Sequence, residues 1–269
     1  MTDSAVMHFD HFIRAACAGR NLEWRKYRRA SRKRVLNRIH ALGLKGYEDY
    51  LQYLGRHPEE ADQLPNLLRV TVSRFFRDRE CWQAMTDEVL PGLLARSRTR
   101  KLKALSIGAC GGEEPYSLAL AWAESIQPAF PERVLDITAL EVDQASLSRA
   151  GEAWYHHSTL REVPEEIKSR WFHPEKGGYR LHPMIRDMVE FRRLDLLKDP
   201  LPGDQDLILC RYLVFTYFRS ELERTMSLKL SRALKPRGVL MIGEKEGPGP
   251  MTGDVFQVQA GSGCFVEKK

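Results

Sequence analysis

From residue 102 onward the chain changes period again and again, and that alternation restricts it to few folds. LKALSIG reads as a strand and EPYSLALAWAES as a helix; VLDITALEVD is a strand and QASLSRAGEAW a helix. DLILCRYLVF, SELERTMSLKLSRAL and GVLMIGE then give strand, helix and strand. Strands separated by helices pair in parallel, with helices on both faces of the sheet, so an α/β domain is expected. The tail DVFQVQAGSGCFVEKK adds a hairpin signal at GSG. Residues 156–193 interrupt the alternation. There GGYRLHP and DMVEFRRL resemble two short strands joined by a turn, in a small inserted β-subdomain. The first hundred residues read as helical instead. The boundary is expected near residue 75, giving a helical domain over 1–75 and the α/β domain over 76–269.

A chain of 269 residues suffices for one large domain or two modest ones. With 43% apolar and 29% charged residues it reads as an ordinary globular protein. No apolar run approaches the ~20 residues that span a bilayer. The start, MTDSAVMHFDHF, lacks the basic-then-apolar order of a secretory signal, so a cytoplasmic protein is expected. Five scattered cysteines without a C-x-x-C pair argue against a disulfide framework and against zinc. The histidines offer no metal spacing either, and no metal is expected.

The net charge of +6 is concentrated: residues 20–38 hold nine Lys/Arg against the single acid Glu23. Trp24, Tyr27, Val35, Ile39 and Leu42, with Ser31 filling the gap, form one apolar helical stripe over 22–42. Arg25, Arg28, Arg29, Arg32, Lys33 and Arg38 fall mostly off it. Such a face is either solvated or a surface for an acidic partner.

The stretch LSIGACGGEEPYSL runs from strand through glycine turn to helix. Turns of this kind usually place a phosphate at the positive end of the helix. Here Glu113 and Glu114 follow the glycines, the spacing is not G-x-G-x-x-G, and no G-K-[ST] follows. A pyrophosphate would be repelled. A cationic ligand such as S-adenosylmethionine would be attracted, because it carries a sulfonium and an ammonium against one carboxylate. Glu141, at the end of the second strand, suits a ribose diol. Both glutamates of the turn also complement the helix dipole, which is an alternative reason for their presence.

These residues resemble the CheR-type methyltransferases, which methylate glutamates of bacterial chemotaxis receptors. Gly112–Ser117 match the family's G-E-E-P-Y-S. T-V-S-R-F-F-R-D (71–78) resembles its T-x-F-F-R, and A-L-E-V-D its A-T-D-I-D. L-D-L-L (194–197), L-C-R-Y-L-V-F-T-Y-F (209–218) and V-L-M-I-G-E resemble the later motifs. The resemblance runs in order from about residue 22 to 247. It implies a class I (Rossmann-like) methyltransferase sheet, an N-terminal all-α domain and a small β insert, with S-adenosyl-L-methionine as cofactor. It also implies roles. Ser73 and Arg77 line the cofactor and substrate pocket; Gly108 and Gly112 form the turn; Glu113 holds the methionine ammonium and Glu141 the ribose. Asp195 and Leu196 flank the adenine, Arg211 and Tyr212 follow the fourth strand, and Tyr217 lies near the reactive methyl.

The sequence departs from the family at Tyr212, where Asn is common, and at Thr71 and Ser73. One extra residue separates the Cys-Arg pair from the Tyr-Phe. The expected activity is glutamate O-methylation of chemoreceptors, with the basic helix facing their acidic cytoplasmic helices and nucleic acid ranked lower as a partner. The alternatives are an orphan methyltransferase with another carboxyl or small-molecule acceptor, and a non-catalytic S-adenosylmethionine- or nucleic-acid-binding module. The insert is expected either to dock a receptor peptide on a strand edge or to support a lid.

Overall fold

The structure, a computed structural model, describes residues 7–23, 29–68, 73–249, 252–258 and 263–269. The chain divides into two compact units, one of Met1–Val70 with Thr216–Leu222, the other of Thr71–Phe215 with Glu223–Lys269.

The first unit is helical, with helices Phe9–Cys17, Arg29–Ala41, Tyr47–Arg56, Pro58–Ala61 and Leu64–Leu68. Its core is aromatic: Phe12 stacks on Tyr47 and Tyr50, with ring centroids 5.3 and 5.6 Å apart. The expected stripe of the basic helix is buried at Ser31, Val35 and Ile39. Leu42 is half-buried against the same core, and Trp24 and Tyr27 lie outside the described residues. The helices Pro58–Ala61 and Leu64–Leu68 are separated at Asp62 and Gln63. Pro65 accounts for the break, since it has no N–H to donate and belongs in a first helical turn. The segment 216–222 joins this unit through backbone bonds from Glu23 N to the Tyr217 carbonyl and from Arg219 N to the Asn21 carbonyl, both 2.8 Å.

Among the described residues the second unit has ten strands. They are β1 Lys101–Ile107, β2 Val134–Glu141, β3 Trp154–His156, β4 Phe172–Glu175, β5 Gly178–Leu181, β6 Val189–Arg193, β7 Gln205–Leu209, β8 Leu234–Met241, β9 Phe256–Val258 and β10 Phe265–Lys268. Seven form one sheet in the order β6-β2-β1-β7-β8-β10-β9. The pairs from β6 to β8 are parallel, and β10 is antiparallel to both β8 and β9. β7 is buried throughout, as a central parallel strand covered on both faces requires. The chain leaves β1 toward β2 on one side and later returns to β7 on the other. The crevice of an open α/β sheet therefore lies beyond the carboxyl ends of β1 and β7. The hairpin expected in the tail is β9–β10; Gly261 and Ser262 of its GSG signal lie outside the described residues.

Two expectations need correction. The insert is smaller than 156–193: β3, β5 and β4 form a separate antiparallel sheet, but β6 pairs with β2 over Ile137–Glu141 as an edge strand of the main sheet. DMVEFRRL misleads because it alternates like any half-covered strand, with Val189 buried and Glu190 exposed. DLILCRYLVF is a strand only to Leu209, because Tyr212 takes a left-handed φ of 53° and turns the chain out of the sheet.

The cysteines also depart from expectation. Cys81 and Cys264, 183 residues apart, form a disulfide with their Cα atoms 5.8 Å apart. No spacing rule encodes this, because the sheet order alone brings the start of β10 beside helix Arg79–Ala84. A cross-link over so long a loop stabilises by about 2–4 kcal/mol. The thermal midpoint of the oxidised protein should exceed that of the reduced one by roughly 5–15 °C. In Cys264→Ser the two midpoints should coincide, which differential scanning calorimetry with and without dithiothreitol checks.

Candidate functional site

The glycine turn begins where β1 ends. Gly108 and Ala109 donate their amides to the Leu140 carbonyl at the end of β2, at 2.9 and 3.1 Å. The turn then needs left-handed backbone at Gly108, Cys110 and Gly112, with φ of 77°, 51° and 90°. Gly112 cannot be replaced without movement, since a Cβ there would lie 2.8 Å from the Tyr116 ring and 3.1 Å from Phe191. The Gly111 carbonyl accepts the Tyr155 hydroxyl of β3 at 2.7 Å, so the insert braces the turn. Ser117 binds both ways: it donates to the Glu113 carbonyl at 2.6 Å and accepts from Phe76 N at 2.9 Å.

Three buried carboxylates surround this turn. Glu141 accepts backbone N–H bonds from Cys110, Val142 and Asp143 at 2.9, 2.8 and 2.9 Å. Of about four lone-pair sites on a carboxylate, one is left. Glu114 accepts from Ser106 at 2.9 Å and lies 3.6 Å from Arg211; burial raises its carboxyl above the usual range against the pull of Arg211. Glu113 is different: its Oε2 is buried and has no hydrogen-bond partner among the described residues. Burial raises its carboxyl too, opposed by its own amide, by Arg149 and by the Gly111 amide. A buried carboxylate oxygen with nothing to bind is costly unless a donor arrives.

At the end of β7 a second cluster forms. Asp78 Oδ2 accepts from Arg211 Nη2 at 2.7 Å, from the Tyr212 hydroxyl at 2.6 Å and from Glu244 N at 3.3 Å. Burial pushes the Asp78 carboxyl up, but Tyr212 and Arg211 outweigh it and hold it below the usual range. Arg77 Cζ sits 3.6 Å from the centroid of the Tyr212 ring. Phe76 and Asp78, on either side of Arg77, are both left-handed, with φ of 49° and 64°. Such conformations cost on the order of 1 kcal/mol or more each and gather at functional sites.

The carboxyl edge of the main sheet thus brings together Gly108, Gly112, Glu113, Glu141, Arg211 and Tyr212, with Arg77 against Tyr212. Asp195 and Leu196 follow the end of β6. There Asp195 Oδ1 caps the Leu197 amide at 3.0 Å, and the Leu196 carbonyl accepts Lys229 Nζ at 2.7 Å. Ser73 is half-buried two residues before Phe75. Tyr217 belongs to the helical unit, packed against that unit's own core. Asp78, Ser117, Tyr155 and Glu246, whose Oε2 accepts the Tyr212 amide at 2.6 Å, are not anticipated by the sequence. Ser117 and Asp78 stand inside recognisable motifs, but Tyr155 and Glu246 carry no local signal.

The basic helix is less free than its sequence suggests. Arg38 makes a two-pronged pair with Glu60 at 2.8 and 2.5 Å, and Glu60 also accepts the Tyr50 hydroxyl at 2.8 Å. Arg34 Nε donates to the Leu67 carbonyl at 2.8 Å. Arg32 and Lys33 are exposed, while Arg25 and Arg28 lie outside the described residues.

The family model for the CheR methyltransferase, SAM binding domain, matches residues 71–261. A chemotaxis protein methyltransferase of Listeria monocytogenes is 34% identical over 215 residues, covering 80% of either chain. Chemotaxis protein methyltransferase 2 of Pseudomonas aeruginosa is 30% identical over 222 residues, covering 79% of this chain and 76% of its own. The Escherichia coli chemotaxis protein methyltransferase is 29% identical over 221 residues, covering 79% and 74%. A family model over most of the chain and relatives of this similarity lead to one conclusion: the chain belongs to the CheR family of methyltransferases, with S-adenosylmethionine as cofactor.

Proposed function

We propose that this protein transfers the methyl group of S-adenosylmethionine to glutamate side chains on the cytoplasmic helices of chemotaxis receptors. The observation that carries the reading is the buried Oε2 of Glu113 beside the glycine turn, which has no hydrogen-bond partner among the described residues. It fits the ammonium of the cofactor's methionine moiety, and the remaining acceptor site of Glu141 fits a ribose hydroxyl. Asp195 and Leu196 would flank the adenine, and Ser73 would line the same pocket. Bound cofactor supplies an activated methyl group. The protein's part is placement. A glutamate acceptor, with an ordinary pKa near ~4.3, is already an ionised nucleophile at neutral pH and needs no general base. Correct positioning alone is worth up to ~7–11 kcal/mol. Arg77 presents a planar fork of N–H donors to the acceptor carboxylate. For Tyr217, support of the methyl rests on the resemblance alone. A cytoplasmic location belongs to the same proposal, because the acceptor helices are cytoplasmic.

Receptor-containing membranes incubated with methyl-labelled S-adenosylmethionine should acquire base-labile label on the receptor, as a carboxyl methyl ester requires. Arg77→Ala should bind the cofactor and transfer no label. A base-stable product, or near-normal turnover in Arg77→Ala, contradicts the reading.

Glu113 gives a pH dependence with a definite sign. Burial raises its carboxyl in the free protein, whereas a bound ammonium favours the anion. Cofactor affinity should therefore climb as pH rises through that raised value and level off above it, with proton release on the climbing limb. Glu113→Gln should bind roughly 10–100-fold more weakly at neutral pH and lose the slope, as calorimetry in buffers of different ionisation heat can read.

Arg32 and Lys33 are the exposed cations of the described basic helix, and they support a docking role toward an acidic receptor surface. Reversing both to Glu should raise KM for receptor several-fold at low salt, with cofactor affinity unchanged. The difference should fade at about 1 M salt, where screening acts within ~3 Å.

A further inference from the structure

An arginine followed directly by an aspartate invites a local ion pair, which would consume the Arg77 fork before any substrate came near it. The structure avoids that pair. Among the described residues Arg77 pairs with no carboxylate, and its guanidinium lies on the Tyr212 ring at 3.6 Å. Asp78 is turned to other donors, the Tyr212 hydroxyl at 2.6 Å and Arg211 at 2.7 Å. The Arg77 main chain is fixed as well, since its carbonyl accepts Arg211 Nη2 at 2.6 Å and Trp82 Nε1 at 2.9 Å.

Tyr212 is itself held on three sides. Its amide donates to Glu246 Oε2 at 2.6 Å, and the same oxygen accepts Gly243 N at 2.7 Å. A Cβ on Gly243 would lie 2.6 Å from the Tyr212 ring, so a glycine is needed behind it. Its left-handed φ of 53° is one a bulky side chain rarely adopts. A tyrosine kept in that conformation, clamped between Gly243 and Arg77, is a built feature of the site.

We propose that Tyr212 is a positioning residue for Arg77: its hydroxyl, with Arg211, holds the Asp78 carboxylate off the Arg77 guanidinium, and its ring fixes the guanidinium plane, leaving the N–H fork for a carboxylate from outside the chain. This rests on the reading of Arg77 as the anchor of the acceptor carboxylate. One side chain thus does two separable things. Tyr212→Phe keeps the ring and frees Asp78 to pair with Arg77. Tyr212→Leu removes both functions. Gly243→Ala displaces the ring while leaving the hydroxyl in the protein.

The test follows the Arg77 Nε–H signal by NMR, assigned with Arg77→Lys, while sodium glutarate is added as the carboxylate probe. Receptor KM, kcat and cofactor Kd are measured on the same proteins. In the wild type the signal should be shifted upfield by the ring and should move with glutarate. Tyr212→Phe should keep the ring shift, bind glutarate roughly 10-fold more weakly, and raise receptor KM by a similar factor with little change in kcat. Tyr212→Leu and Gly243→Ala should lose the ring shift also, and cofactor Kd should stay within about twofold in all three. A Tyr212→Phe protein whose glutarate titration matches the wild type overturns the proposal, as does a parallel loss of cofactor affinity. A wild type that takes glutarate at Arg77 yet labels no receptor sinks the functional reading instead and leaves the positioning role standing.

Discussion

A carboxylate oxygen taken out of water and given no donor costs several kcal/mol in principle, and Glu113 carries such an oxygen at the mouth of the glycine turn. The rest of the unit is arranged around keeping it there. Gly112 lets the chain turn tightly enough for the helix to begin at Glu113, and Ser117 fastens that first helical turn to Phe76. Glu141, fixed by the Val142 and Asp143 amides, ties the turn to the end of β2 through the Cys110 amide, and Tyr155 braces it from the insert. A loop of the kind that serves phosphates elsewhere thereby carries buried carboxylates, the opposite sign from a phosphate site.

Beside this acidic turn stands a second cluster with a different logic. Arg211 is almost wholly buried, with its side chain 3% exposed, and it is shared between Asp78 and Glu114. Leaving such a charge without its partners would cost far more than the pair contributes when intact. The cluster therefore fixes geometry. Arg211 and Tyr212 occupy Asp78, and Arg77 is left with one face on an aromatic ring and no carboxylate partner among the described residues. Buried carboxylates at the glycine turn and an arginine fork on the Tyr212 ring then lie on the carboxyl edge of one sheet, and in the proposed function the first takes the cofactor and the second an anionic acceptor. A methyl transfer from a cation to a carboxylate requires that pairing of signs.

How much of this was legible in the sequence depended on range. The strand, turn and helix from Leu105 to Leu118 announce themselves, because glycines and a change of period are local signals. The stripe through Ser31, Val35 and Ile39 was equally plain. β6 was misassigned to the insert, since a five-residue alternating strand says which face is covered and not which sheet it joins. Arg-Tyr-Leu-Val-Phe looked like the continuation of β7, and only the turn at Tyr212 ends it. Arg38 looked outward on a helical wheel, yet a long side chain can fold back to a buried glutamate. The Cys81–Cys264 bond and the role of Glu246 depend on residues far apart in sequence, where spacing says nothing.

The central claim is that Glu113 is kept buried and short of a partner because its partner is the cofactor's ammonium. A crystal structure with S-adenosylhomocysteine bound tests this most directly, since that molecule keeps the ammonium while lacking the methyl and the sulfonium charge. The account predicts its amino nitrogen within about 3 Å of Glu113 Oε2, with the glycine turn unmoved. An amino group bound elsewhere, with that oxygen still lacking a donor, would contradict it.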